Sequence, residues 1–387
     1  VTLLFIAWLL TDGIATYGVW HFWRSFVPLE PARDSPAVAV LVAIKGTSAD
    51  TAPFLESLCR QTYPHYRIIF ALESAADPAW VRVTASRDAL AGRIAIDLVN
   101  AGTAAGRTQK VHNLREALHA LRDTDRIVVF ADADTRLPDT WLTDLVRPIA
   151  RGEVEASTGY RWPLPQNTAL ATRIGAAADL SMTTSARSRL WNVCWGGSCA
   201  VERRALDAIA LPDVWEHAAS DDVTLTRALR RRGFTINSPL RSLVPSPVSH
   251  TWPGLFAFAR RQHLMLRTYA PRHWLAGGWI LCVPALGAAV ALADTLAGNR
   301  AATLCLLLSA ALLQVRCRLR RRIAGAILPA VDRATARATL RFAAVAWPLV
   351  HAVHCAAFLS SCLGQRFTWA GIRYRISARG THFLGPT

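Results

Sequence analysis

The segment Arg126 to Asp139, RIVVFADADTRLPD, constrains the fold more than any other. An uninterrupted apolar run, Ile127 to Ala131, stops at two carboxylates one residue apart. A short run of this kind, rich in β-branched residues, is the pattern of a strand covered on both faces of a parallel sheet. Asp132 and Asp134 then fall just past the strand's carboxyl end, the edge at which open α/β sheets bind ligands. Their spacing aims both carboxylates to one side of an extended chain. Two hard oxygen ligands suit Mg²⁺ or Mn²⁺ holding a diphosphate. A solvated loop, in which Asp is equally at home, is the competing reading. Pro138, Asp139 and Thr140 have the composition of a helix start.

The segments before this strand repeat the same logic. Val38 to Ile44, Arg67 to Leu72 and Ile94 to Val99 read as strands; Ala52 to Arg60, Pro78 to Leu90 and Lys110 to Leu121 read as helices. Strands alternating with helices imply an α/β domain, here residues 37–250, with a mostly parallel sheet. Architecture alone does not give chemistry. The candidate contacts collect where such a sheet would place them: Lys45 after the first strand, Glu73 and Asp77 after the second, Lys110 and Asn113 at a helix start. Surface residues or caps are the alternative at each. Further on, Gly196 and Gly197 would let backbone approach a ligand closely and Ser198 adds a hydroxyl, though a plain turn uses the same letters. Ser220-Asp221-Asp222 opens a helix whose N-cap is Ser220 and whose C′ residue is Gly233. Either both aspartates merely favour the helix N-terminus, or Asp222 is a general base.

A globular domain does not use up the chain. With 387 residues, 52% apolar content and a mean hydropathy of +0.22, the remainder has the character of membrane segments. Val1 to Trp20 contains one charge, Asp12, and is about as long as a spanning helix needs to be. A cleaved signal peptide would want a basic start and a small-residue cleavage site. An uncleaved anchor over 1–23 fits better, and Arg24 and Arg33 then put the next domain in the cytoplasm. Residues 251–274 mix aromatics with Arg260, Arg261, Arg267 and Arg272, which suits an amphipathic segment at the headgroup level. Arg261 or Arg267 could equally clamp a diphosphate.

Residues 275–365 hold the C-terminal membrane helices. Leu275 to Ala297 and Ala301 to Val315 form an antiparallel hairpin that Arg316, Arg318 and Arg320 to Arg322 return to the cytoplasm. Leu340 to Leu363 is long enough to span, but a crossing there leaves the basic tail, 366–387 with Arg366, Arg373, Arg375 and Arg379, outside, against the charge rule. That segment is therefore re-entrant or interfacial, or the tail is external. The net charge of +17 fits anionic lipid and a phosphorylated substrate; no basic-aromatic module for nucleic acid is present. Only two of the 44 basic residues are lysines, Lys45 and Lys110, which marks them as positions where Arg will not do. Eight cysteines without CxxC or CxxH pairs read as small buried hydrophobes in a reducing compartment.

In this order the motifs resemble the ceramide glucosyltransferase-like group of membrane glycosyltransferases, within the wider family-two-like set with a GT-A domain. The likeness runs from Val38 to about Thr381. VAIKG (Val42 to Gly46) resembles the group's first strand with its Lys-Gly, and LCRQTYPHYRIIFALESAADPAW (Leu58 to Trp80) its Tyr-Pro turn, second strand and Asp-Pro-Ala. GRTQKVHNL (Gly106 to Leu114) resembles its lysine-plus-asparagine stretch. Asp132-Ala133-Asp134 falls at the second aspartate motif, Gly196 to Cys199 at Gly-x-Ser-Cys, Asp221-Asp222 at the third aspartate motif, and Trp369-Ala370-Gly371 through Tyr374 at a C-terminal Trp-x-Gly.

Two positions depart. Ser74 beside Glu73 stands at the first aspartate position, and the RxxRW signature survives only as Arg261-Gln262-His263-Leu264-Met265. The resemblance implies a UDP-sugar donor bound by Lys45, Glu73, Asp77, Lys110, Asn113, Gly197, Ser198, Arg261, Gln262 and Arg267. It implies Mg²⁺ or Mn²⁺ on Asp132 and Asp134, a lipid acceptor, Asp222 as base with Asp221 beside it, and a multi-pass protein of the cell (inner) membrane with its catalytic domain cytoplasmic. A processive polysaccharide synthase would need more spans, and an inactive membrane scaffold would have no reason to keep the aspartates.

Overall fold

The structure, a computed structural model, describes residues 1–25, 35–184, 191–377 and 380–386; Arg33 and Arg379 lie outside them. In chain order the elements are α1 (Thr2–Arg24), β1 (Val38–Ala43), α2 (Thr51–Cys59), β2 (Tyr66–Leu72), α3 (Pro78–Ala89), β3 (Ala95–Asn100), α4 (Gln109–Ala117), β4 (Ile127–Asp132), α5 (Trp141–Ala150), β5 (Ala156–Thr158), β6 (Tyr160–Pro165) and α6 (Leu170–Thr183). They continue with β7 (Ser198–Glu202), α7 (Arg203–Ala208), α8 (Leu211–Val214), α9 (Asp221–Arg231), β8 (Ile236–Asn237), β9 (Leu243–Val248), α10 (Trp252–Tyr269), α11 (Pro271–Leu296), α12 (Arg300–Ile327) and α13 (Arg333–Ser361), then β10 (Arg366–Trp369), β11 (Ile372–Ser377) and β12 (Gly380–Pro386). The chain parts into two compact units, each described by itself.

The sheet unit is Pro28–Arg161, Ser188–Ser246 and Gln365–Thr387. Its seven strands stand in the order β3-β2-β1-β4-β7-β5-β8, parallel from β3 through β4. Strand β1 is central, with Ala43 level with Ala71 on one side and Asp132 on the other, so β1, β2 and β4 end together. Alternation along β1 then decides what each face buries. Val38, Val40 and Val42 pack with Phe54, Leu58, Phe70, Leu142 and Leu145 on one face. Ala39 and Leu41 pack with Val111, Leu114, Phe130, Leu225 and Leu229 on the other. With both faces covered, each large side chain contributes roughly 1.5 to 3 kcal/mol of burial.

Strand β7 enters antiparallel to β4, pairing Ala131 with Ser198 and Ile127 with Glu202. Its first residues therefore lie beside the last ones of β4, which carries Gly196 and Gly197 to the carboxyl edge. Residues 366 to 386 form a three-stranded sheet, β10-β11-β12, belonging to this unit. Phe367, Tyr374 and Ile376 are buried in it. Tyr374 Oη accepts a hydrogen bond from the Gln109 amide (3.4 Å), and Thr381 Oγ1 donates to the His217 carbonyl (3.1 Å).

The membrane unit is Val1–Val27, Trp162–Arg187 and Pro247–Gly364. Among the described residues four of its helices, α1, α11, α12 and the segment of α13, are long and apolar enough to cross a membrane. Helices α1 and α12 run side by side in the same direction, with Phe5 packed by Ala302 and Ser309 Oγ donating to Asp12 Oδ2 (2.6 Å). Helix α11 runs against them: Trp8 lies on Gly287, and Trp279 Nε1 donates to Thr11 Oγ1 (3.0 Å). Arg316 and Arg320, expected to follow the second hairpin helix, instead lie inside α12. Arg316 pairs with Asp12 (2.9 Å), and Arg320 Nε donates to Thr184 Oγ1 (2.8 Å), so two charges sit buried beside their partners instead of in a loop.

Helix α13 packs against α11 and α12. Early in it, Leu340 lies against Cys317 of α12. At its far end Phe358 stacks on Trp274 (4.9 Å) and Ser361 Oγ accepts from Trp274 Nε1 (3.1 Å), at the start of α11. Both partners lie toward the end of the bundle that holds the carboxyl terminus of α1. Pro348 inside α13 removes a backbone donor from the helix.

Candidate active site

The last residue of β4 is Asp132, and Thr135 Oγ1 donates to its carbonyl (3.0 Å), turning the chain so that Asp134 follows at the rim. Lys110, the second residue of α4, places its ammonium 2.7 Å from Asp132 Oδ1 and 3.0 Å from Asp221 Oδ2. Helix α4 is held in that position by Thr108, whose amide donates to the Ala218 carbonyl (3.3 Å) and whose hydroxyl donates to the Ala219 carbonyl (3.1 Å). The starts of α4 and α9 are therefore tied together, one carrying the lysine and the other Asp221 and Asp222.

Ser220 caps α9, accepting from the Val223 amide (3.3 Å) and donating to Asp222 Oδ1 (2.5 Å). Asp222 Oδ1 also accepts from the Val223 amide (2.7 Å), and its Oδ2 accepts a long bond from the Gly196 amide (3.5 Å). Asp222 thus does serve the helix start, while its second oxygen lies on the side of Gly196. Glycine is required at 196: a Cβ there would lie 2.2 Å from Asp221 Oδ2 and 3.0 Å from Lys110 Nζ. At Gly197 a Cβ would run into the Trp195 ring at 2.3 Å.

The electrostatics follow from this crowding. Burial pushes the Asp221 carboxyl up to about 6, with Asp222 and Asp132 adding to the rise and Lys110 opposing it. Burial disfavours the Lys110 ammonium, but Asp132, Asp221 and Asp222 outweigh it and hold the pKa above the usual lysine value. Asp134 is reached by water at the rim, yet protein packed around it and the neighbouring Asp132 raise its pKa, against Arg161 and Lys110. Among the described residues Asp134 makes no ion pair. An unpaired carboxylate beside a second one is a setting that a divalent cation relieves, so the residues present fit a metal held by Asp132 and Asp134. No group of three or more His, Cys, Asp or Glu side chains among the described residues could hold a metal ion. The remaining ligands must come from substrate and water, as is usual for Mg²⁺.

The other expected contacts divide. Lys45 Nζ pairs with Glu73 (2.8 Å), at the ends of β1 and β2. Asp77 caps α3, accepting from the amides of Ala79 (2.8 Å) and Gly46 (2.9 Å). Asn113 is buried, donating to the Ala71 carbonyl (3.3 Å) and accepting from Gln109 Nε2 (2.8 Å). Ser198 Oγ is fully buried and accepts from Trp141 Nε1 (2.8 Å). Arg261, Gln262 and Arg267 lie on α10 in the membrane unit, where Arg261 sits over the Phe258 ring (5.5 Å) and Arg267 donates to the Gly364 carbonyl. Arg161, which acts on Asp134 and lies over the Trp195 ring (5.4 Å), was not anticipated; in sequence it carries no signal beyond following Tyr160.

The sequence profile of glycosyl transferase family 21 matches residues 3–382. Among solved structures, a mannosyltransferase of Pyrobaculum calidifontis in complex with GDP-Man and Mn²⁺ is 17% identical, with 93% of this chain and 99% of that one covered and a TM-score of 0.49. Glucosyl-3-phosphoglycerate synthase of Mycobacterium tuberculosis in complex with phosphoglyceric acid is 19% identical over 61% and 80%, with a TM-score of 0.38. TarS of S. aureus, residues 1–349 in complex with UDP, is 10% identical over 91% and 100%, with a TM-score of 0.40.

Proposed function

The chain belongs to glycosyl transferase family 21, and from that premise we propose that this glycosyltransferase moves a sugar from UDP to a hydroxyl of a membrane lipid with inversion. The observation that carries the reading is the convergence of Asp132, Lys110, Asp221 and Asp222 from three separate segments at the carboxyl edge of the sheet. The three helices α1, α11 and α12 support a lipid acceptor, because they hold the chain where lipid hydroxyls are presented.

In this mechanism Asp222 Oδ2 accepts the proton of the acceptor hydroxyl. The hydroxyl oxygen forms the new bond to the sugar's anomeric carbon as the bond to the diphosphate oxygen breaks, and UDP departs with the electron pair. Asp132 and Asp134 would hold Mg²⁺ or Mn²⁺, which supplies positive charge to the leaving diphosphate. Lys110 adds a fixed charge to the same side, and Ser220 keeps Asp222 in place. Detergent-extracted protein, given UDP-sugars labelled in the sugar and an extracted lipid mixture, should release UDP and transfer label to the organic phase in equal amounts. Label passing only to a water-soluble acceptor would remove the lipid; activity confined to another nucleotide's sugars would remove UDP.

The geometry of α13 supports a cytoplasmic sheet unit with three crossings, by α1, α11 and α12, and a re-entrant α13. The segment 366–386 then stays on the same side as residues 37–161, which satisfies the charge rule for its arginines. In a Cys362→Ser background, Glu153→Cys and Thr368→Cys should both resist an impermeant thiol reagent in intact cells and react after permeabilisation. Labelling of position 368 alone would make α13 a crossing; labelling of both would put the catalytic unit outside.

A further inference from the structure

We propose that Lys110 is a built-in countercation that occupies the metal ligand Asp132 while donor is absent, so that the divalent metal enters efficiently only together with a nucleoside diphosphate. This rests on the sugar-transfer reading, because it takes Asp132 and Asp134 as the metal's ligands.

The ammonium bridges Asp132 Oδ1 (2.7 Å) and Asp221 Oδ2 (3.0 Å), and the Lys110 side chain is only 17% exposed. Gly196 closes the socket from the side, since a single added carbon there would lie 3.0 Å from Nζ. The Thr108 bonds to Ala218 and Ala219 fix the helix start that carries the lysine, so the charge is held between two carboxylates and not on a free stem. A compact ammonium fits such a socket and a planar guanidinium does not. In a chain whose other basic residues are all Arg except Lys45, that fit explains the lysine.

A metal arriving alone finds Asp134 free but Asp132 already neutralised. It must displace a charge from a site where Coulomb attraction is weakly screened. A diphosphate changes both sides of that competition, because its oxygens give the metal further ligands and give Lys110 a new anion to face. Lys110 then turns from Asp132 toward phosphate. Metal and nucleotide binding become coupled, and the coupling must be reciprocal. If Lys110 served only as a phosphate contact, removing it would weaken nucleotide binding and leave nucleotide-free metal binding unchanged.

The test measures Mn²⁺ bound to the full-length protein in detergent by electron paramagnetic resonance, with and without UDP. Lys110→Gln should tighten nucleotide-free Mn²⁺ binding about tenfold and shrink the gain produced by UDP. Equal or weaker nucleotide-free Mn²⁺ binding in Lys110→Gln, at an unchanged unfolding temperature, overturns the proposal and leaves the sugar-transfer reading standing. Should the glutamine variant not fold, Lys110→Met reads the same quantity; failure of both to fold makes the lysine a structural ion pair and also overturns it. Wild-type protein that binds no Mn²⁺ even with UDP overturns the metal reading itself.

Discussion

Asp134→Ala is expected to lower UDP release by at least about a hundredfold while the protein remains folded. Of the two carboxylates at the end of β4, Asp134 gives the cleaner test. Removing Asp132 also strips Lys110 of its closest partner (2.7 Å), whereas Asp134 makes no ion pair among the described residues. The sign of the stability effect follows from its titration. A carboxyl whose folded pKa is raised favours the native state only at low pH, and that contribution is lost as pH rises through the folded value. Once ionised, above its folded value, Asp134 adds nothing to stability, and alanine should leave the unfolding temperature there unchanged or slightly higher. The decisive pair of measurements is UDP release and thermal unfolding of the same detergent preparation. Release near the wild-type rate, or full wild-type activity in excess chelator, would remove metal from the reaction.

The sheet was legible because its strands are short, apolar and regularly interrupted by helices. The expected strand over Ile127 to Ala131 is observed as Ile127–Asp132, and the helix expected over Pro78 to Leu90 as Pro78–Ala89. What escaped were features set by partners distant in sequence. Nothing near Ser198 announces that its hydroxyl accepts from the Trp141 indole, so a letter that suits a ligand contact proves to be held in the core. Arg316 and Arg320 look like the basic end of a span, and only Asp12 and Thr184 explain why they sit inside α12.

Apolar length alone could not distinguish crossing from return in α13. The proposed return rests on contacts at Leu340 and Ser361, and neither has a local signature. The segment after it was read as a basic tail from Arg366, Arg373 and Arg375. Yet Phe367, Tyr374 and Ile376 are spaced among those arginines in the period of a half-buried strand. There the signal was present and the charge masked it.

The aspartate pair at α9 leaves the largest mechanistic question, and Asp222→Asn is expected to cut transfer to lipid by about two orders of magnitude or more. The structure shows that Asp222 does contribute to the helix start, through bonds from Ser220 Oγ and the Val223 amide to a single oxygen, Oδ1. Asparagine can accept both with its remaining oxygen, and the charge at the first turn is worth only about 0.3 to 1 kcal/mol. Unfolding temperature and UDP-sugar binding should therefore change little. What asparagine lacks is proton affinity, and a base contributes typically ~10² to 10⁴ in rate through that property. Asp221→Asn is not an equivalent test, because Asp221 Oδ2 also holds Lys110 (3.0 Å) and its loss would disturb the charge bridge to Asp132. The pH profile separates the two carboxylates further, since the Asp221 carboxyl is raised to about 6. If the Asp222→Asn protein transfers sugar at close to the wild-type rate, and that rate climbs with pH through the Asp221 titration, which loss of the Asp222 charge moves below the wild-type value of about 6, Asp222 is a helix-start residue and the base is Asp221. A rate that is undiminished and flat across that range would remove both carboxylates from proton transfer.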